Sequence, residues 1–262
     1  MYFEVDEQRV FAAGRLLADA AAPPVVLLHG ASMDHSVWVY QTRYFMHVGR
    51  GVVAFDLPAH GRSGGTPLTT IEDMAAWFWR CIDALALGQV ALAGHSMGAL
   101  VALEAAGQAA SRVGRLALLG ASFPMPVSAQ LLAAAQDNSP AARDMMMLWG
   151  HAQAAQLGAN PVAGMHIVNT ALRLLEQAQP GLLYCDLKAC NDYAHGAVAA
   201  AAVRARTTLI CGTEDRMAPA AAAHQFASTL ANCLVTTIVG SGHIMMSEQP
   251  EQTHRQLVAA LA

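Results

Sequence analysis

Lysine is all but missing from this 262-residue chain: Lys188 stands alone beside fourteen arginines. No glycine-rich run ends in Gly-Lys-Ser/Thr, which excludes a P-loop. Schiff-base chemistry would have to use Lys188, and nothing around that residue argues for it. Charge of either sign is scarce, at 13 % of residues against 55 % hydrophobic. A disordered chain has the opposite balance. The formal charge of −4 argues against neutralising nucleic-acid phosphates. No uninterrupted apolar run reaches the ~20 residues of a membrane span. Neither a nucleic-acid nor a membrane partner is therefore expected.

Cysteine is sparse as well. The five thiols, Cys81, Cys185, Cys190, Cys211 and Cys233, are scattered, odd in number and without a CxxC pair. They read as reduced thiols and not as a disulfide framework or a zinc knuckle. There is no H-E-x-x-H, and no G-x-G-x-x-G follows a strand, so neither a metal nor a dinucleotide is implied and no cofactor is expected. The opening Met-Tyr-Phe-Glu-Val-Asp-Glu is acidic where a secretion signal is basic. A cytoplasmic location is the expectation.

What the chain does have is a regular alternation. Two short strands are expected at 2–5 and 9–13, joined by a polar turn. Short continuous apolar runs follow at 25–28, 52–55, 90–93, 116–119, 209–211 and 235–239, as expected of strands buried on both faces. Most of them end at glycine. Between them lie helical patterns at 70–87, 96–110, 219–230 and 247–261; the first carries Ile71, Met74, Ala75, Phe78, Ile82 and Leu85 as one stripe. Strand and helix in alternation mean parallel pairing by crossover. The fold class is therefore α/β, with a mostly parallel central sheet and helices on both faces. Ligands in such sheets bind beyond the carboxyl ends of the strands. From 123 to 203 no strand pattern occurs, and an Ala-, Leu- and Met-rich stretch punctuated by Pro140, Pro161 and Pro180 predicts inserted helices. Such an insertion reads as a helical lid over the site or as an ordinary elaboration without gating. The domain division is 1–122 with 204–262 as the core and 123–203 as the insertion.

Gly94-His95-Ser96-Met97-Gly98 follows a buried run and opens a helix. In that context G-x-S-x-G places a serine on a tight strand-to-helix turn beside free helix N–H groups. The plainer alternative is a serine that caps the helix. Four further motifs accompany it: His29-Gly30-Ala31-Ser32, Phe55 to Ser63 with its Asp56-Leu57-Pro58-Ala59-His60-Gly61 core, Gly212-Thr213-Glu214-Asp215, and Gly240-Ser241-Gly242-His243. In this order they resemble the α/β-hydrolase superfamily over nearly the full chain. The pattern is most similar to small serine carboxylesterases, including those that cleave methyl esters of biosynthetic intermediates. Members often carry glycine where Ala59 stands.

The resemblance implies an α/β-hydrolase fold and a Ser-His-Asp triad. Ser96 would be the nucleophile, which needs a base to take its proton. His243, alone among eleven histidines, follows the last strand in a Gly-flanked loop and would be that base. Asp215 would fix the imidazole tautomer; its neighbour Glu214 stands one place early, and Asp56 reads as a loop tie. The backbone N–H groups of Ala31 and Met97 would form the oxyanion hole, where one lost donor costs about 2.7–4 kcal/mol of barrier. A substrate pocket is expected to draw on Ser32, Met147, Trp149, Met165 and Ile244. Arg143, Arg173 and Lys188 are either recognition groups for a substrate carboxylate or merely solvated. The implied activity is cleavage of a small-molecule ester with an apolar part. Hydrolysis or lysis of a carbon–carbon bond by the same triad is a second possibility, and a non-enzymatic receptor on the same fold a third. Oligomeric state is not legible.

Overall fold

A strand covered on both faces must be apolar at every position, because alternate side chains enter opposite packed layers. A computed structural model describes residues 1–17, 22–159 and 161–262, and the apolar runs form an eight-stranded sheet. In chain order the strands are β1 (Tyr2–Val5), β2 (Gln8–Arg15), β3 (Val25–Leu28), β4 (Val52–Phe55), β5 (Val90–His95), β6 (Val113–Leu119), β7 (Arg206–Gly212) and β8 (Cys233–Ile238). Across the sheet they run β1-β2-β4-β3-β5-β6-β7-β8. β1 and β2 form a hairpin through Asp6 and Glu7, both at positive φ (52° and 61°), as a type I′ turn requires. β2 lies antiparallel to β4, and every later neighbouring pair is parallel.

The first helices are α1 (Val39–His47), α2 (Ile71–Ala84) and α3 (Met97–Gln108). Six more join β6 to β7: α4 (Ala129–Gln136), α5 (Pro140–Gly150), α6 (Gln153–Gln156), α7 (Ile167–Gln177), α8 (Leu182–Asp192) and α9 (Gly196–Ala202). Then come α10 (Ala220–Ala227), α11 (Met245–Glu248) and α12 (Pro250–Leu261). Val26, Leu28, Val53, Phe55 and Leu92 turn to the face covered by α2 and α3. Val25, Leu27, Val52, Ala54 and Ala93 turn to the other, where Phe45 of α1 and Leu257 of α12 meet them. Among the described residues no helix is long and apolar enough to cross a membrane.

α1 is the element the sequence did not announce. Its buried face is Gln41, Thr42 and Phe45, so the apolar stripe is broken. Gln41 is accommodated there because its Nε2 donates to the Met246 carbonyl at 3.1 Å. β3 has β4 on one side and β5 on the other, so the chain leaves it in opposite directions. That reversal opens a crevice at the carboxyl ends of β3 and β5, between Ala31 and Ser96.

Candidate active site

Only Ser96 separates β5 from α3, and it takes φ 54° and ψ −119°. A non-glycine residue held there stores about 1–3 kcal/mol of strain. The flanking glycines make the turn sterically feasible. A Cβ at Gly94 would lie 2.0 Å from the Gly98 carbonyl oxygen, and one at Gly98 would lie 2.4 Å from that of His29. The Ser96 N–H donates to the Leu119 carbonyl at 2.9 Å. Its side chain does not cap α3, so the hydroxyl is left for another use.

His243 arrives from the loop after β8. Its N–H donates to the Gly150 carbonyl at 2.9 Å, which ties the loop to the end of α5. Its Nδ1 lies 2.8 Å from Asp215 Oδ2, and the other Asp215 oxygen accepts the N–H groups of Met217 and Ala218, each at 2.8 Å. A carboxylate only accepts, so Nδ1 carries the hydrogen and Nε2 presents a lone pair. That Nε2 is buried and has no partner. His95 braces the arrangement from behind: its Nε2–H donates to the His243 carbonyl at 2.9 Å, with the rings 4.7 Å apart. Burial, reinforced by the neighbouring His243, drives the His95 pKa well below the ordinary imidazole value and keeps that ring neutral. Gly120, at φ +57°, leaves room for the pair, since a Cβ there would stand 2.9 Å from His243 Nδ1.

Ser96 and His243 line the same cavity, of about 400 Å³. Ala31 forms part of its wall, Met146 and Trp149 enter from α5, Leu187 from α8, and Met125 from the stretch after β6. Arg216 and Met217 contribute from the loop that carries Asp215. The lining is apolar apart from Ser96, Ser128, the imidazole and Arg216. Away from it, ligand atoms of Asp34, His35 and Asp56 lie within 4.8 Å of one another. They brace a loop: Asp56 accepts from the His35 N–H (2.7 Å), His35 Nδ1 (2.8 Å) and the Arg62 N–H (2.8 Å), while Asp34 accepts the Ser36 N–H at 2.8 Å.

The sequence profile of the alpha/beta hydrolase family matches residues 25–256. The chain belongs to the alpha/beta hydrolase family. It is 30 % identical over 249 residues to a pimeloyl-[acyl-carrier protein] methyl ester esterase of Aromatoleum aromaticum, covering 87 % of this chain and 94 % of that one. It is 36 % identical over 101 residues to the (E)-2-((N-methylformamido)methylene)succinate hydrolase of Acinetobacter baylyi, covering 38 % of each. Several matches to curated relatives are partial in this way and span between 32 and 38 % of their length. Among solved structures, the enol-lactonase of Burkholderia xenovorans superposes with a TM-score of 0.86 at 20 % identity, over 100 % of this chain and 99 % of that one. The chain is thus an enzyme of a hydrolase family, similar to methyl-ester esterases.

In this hydrolase, Ser96, His243 and Ala31 come together in the wall of one cavity, Asp215 stands buried behind His243, and Met97 lies buried next to Ser96. Of the residues expected in the pocket, Trp149 lines the cavity. Ser32, Met147, Met165 and Ile244 do not, and that part of the expectation is corrected. Ser32 turns its backbone toward α8. Met147 is packed into the core, one step of about 100° around α5 from Met146. Met165 is 39 % exposed beside α6, away from the cavity. Ile244 packs under the sheet with Met245 and Met246. Arg173 pairs with Glu176 and Lys188 with Asp192, both at exposed positions, and Arg143 borders a separate cleft. Met146 was recoverable from its i, i+3 relation to Trp149. Arg216 gave no signal beyond standing next to Asp215.

Proposed function

We propose that this hydrolase cleaves carboxylic esters of small molecules through an acyl-enzyme on Ser96. One observation carries the reading: a buried imidazole nitrogen with a free lone pair shares a cavity with a serine hydroxyl that caps nothing, and an aspartate fixes the tautomer from behind. His243 Nε2 takes the Ser96 proton as Oγ adds to the ester carbonyl. The tetrahedral oxyanion is held by the N–H groups of Ala31 and Met97, the latter free at the first turn of α3. Asp215, acceptor-only, stabilises the imidazolium so formed. The proton then passes to the departing alcohol, and a water activated by the same nitrogen releases the acid.

The apolar side chains of Met125, Met146, Trp149, Leu187 and Met217 suit an ester with a hydrocarbon part, and methionine adapts to irregular shapes. The pimeloyl methyl ester esterase relative points to the same substrate chemistry. Residues 123–203 then serve as the lid that excludes water, in a cytoplasmic enzyme without a cofactor. Turnover of short-chain nitrophenyl esters tests the reading. Ser96→Ala and His243→Ala should each lower kcat by about 10⁴-fold or more; wild-type turnover that survives Ser96→Ala unchanged would overturn it.

A further inference from the structure

Asp186 is completely buried on α8, in the inserted segment, and the chemistry above does not use it. Its Oδ2 accepts the N–H of Ser32 at 2.7 Å and faces His60 Nε2 at 2.9 Å. His60 Nδ1 lies 2.9 Å from the Pro58 carbonyl. Both ring nitrogens of His60 thus meet acceptors, so the ring holds two protons and balances the carboxylate. Burial pulls the His60 pKa down, but the Asp186 charge and hydrogen bond outweigh it and leave it raised. A buried ion pair therefore joins the inserted helices to the loop after β3.

The peptide it grips is an unusual one. Met33 N–H donates to the Gly30 carbonyl at 3.2 Å, closing a turn in which Ala31 and Ser32 are the central residues. Ser32 has φ +51°, whereas Ala31 is not among the residues at positive φ. That is the pattern of a type II turn, whose third position favours glycine. The competing type I form differs by a flip of the Ala31–Ser32 peptide, which would put a carbonyl where the N–H now stands. A carboxylate accepts the N–H and repels the carbonyl. Asp186 therefore selects one of the two forms and anchors the turn one peptide beyond the Ala31 N–H, and Ala31 lines the cavity beside Ser96.

We infer that Asp186 is a positioning residue: through the Ser32 N–H it pins the peptide that follows Ala31 and keeps the Gly30–Met33 turn rigid, so that the preceding Gly30–Ala31 peptide, whose N–H is the oxyanion donor, holds its place. The inserted segment, and not the core alone, then sets the geometry of the reacting centre. This rests on the ester-hydrolase reading, which supplies the role of Ala31.

The test is kcat and KM for p-nitrophenyl acetate, normalised to sites titrated with a fluorophosphonate. The proteins are wild type, Asp186→Asn, Asp186→Ala, Ser32→Gly and the Ser32→Gly/Asp186→Ala double variant. Asp186→Ala should lower kcat by about 10–100-fold, the scale of a misplaced catalytic group, with KM changed less than about threefold. Asp186→Asn should lower it about fivefold, since an amide oxygen still accepts but more weakly than a carboxylate. Ser32→Gly should restore most of what Asp186→Ala removes, because glycine adopts positive φ unaided. A kcat for Asp186→Ala within about twofold of wild type, or an equal loss in both backgrounds, overturns the inference. Should Asp186→Ala fail to fold, a wild-type kcat in Asp186→Asn overturns it equally. A wild type that neither turns over the ester nor takes the probe overturns the hydrolase reading and this inference together.

Discussion

At position 94 a single methyl group is too much, since a Cβ would fall 2.0 Å from backbone on the facing turn of α3. Neither neighbour can retreat, because the same turn is pressed against β3 through Gly98. Gly94→Ala should therefore cost about 4 kcal/mol or more, the range reserved for severe steric conflict. A thermal melt checks it, and a midpoint within a few degrees of wild type would contradict it. Residues of this kind were legible because their role is local: G-x-S-x-G is a backbone requirement written in consecutive letters. The pocket was less so. Met147 read as a pocket residue, and only the rotational phase of α5 decides that its neighbour Met146 faces Ser96's cavity while Met147 enters the core. Ala59, where related enzymes often have glycine, sits at φ 67°, so the family's preference at that position has a conformational cause.

Among the elements, the buried strands were plain because covering on both faces leaves no polar position to confuse the run. Edge strand β8 also emerged, although its outer residues are half-exposed. α1 stayed hidden because buried Gln41 and Thr42 interrupt its stripe. The anchors of the inserted segment were hidden for a related reason: a carboxylate that finds its partners inside the fold looks the same in sequence as one in water. Glu248 accepts the N–H of Ala152 at 2.8 Å and that of Gly242 at 3.1 Å, joining the end of α5 to the His243 loop. Asp186 does the same at the Ser32 turn. Both ends of the segment's contact with the reacting groups thus depend on long-range pairs, and sequence spacing carries no trace of them.

For the molecule as a whole, scarce charge places unusual weight on histidine. His29, His95 and His151 are buried, and burial lowers the pKa of each, in His29 to about 3. Once unfolded, all three titrate near 6.5. Below that pH the unfolded chain binds more protons than the folded one, so stability falls with acid, by about 1.4 kcal/mol per pH unit for a ring such as His29 that stays neutral in the fold. His60 opposes the trend. Its pKa is raised in the fold, so its contribution is complete below 6.5 and is lost as the pH climbs through the folded value. The rings held neutral outweigh it, and the protein should be less stable at pH 5.5 than at pH 7. Urea denaturation at the two pH values checks this; an unchanged or higher midpoint at pH 5.5 would contradict it.

On the proposed function, the Ser96 hydroxyl is made nucleophilic by the imidazole buried beside it. Peptide mapping after reaction with a fluorophosphonate tests it most directly. A single adduct per chain is expected, carried on the peptide that contains Ser96 and formed far more slowly in His243→Ala. An adduct on any other residue, or no adduct on a folded wild-type protein, would contradict it.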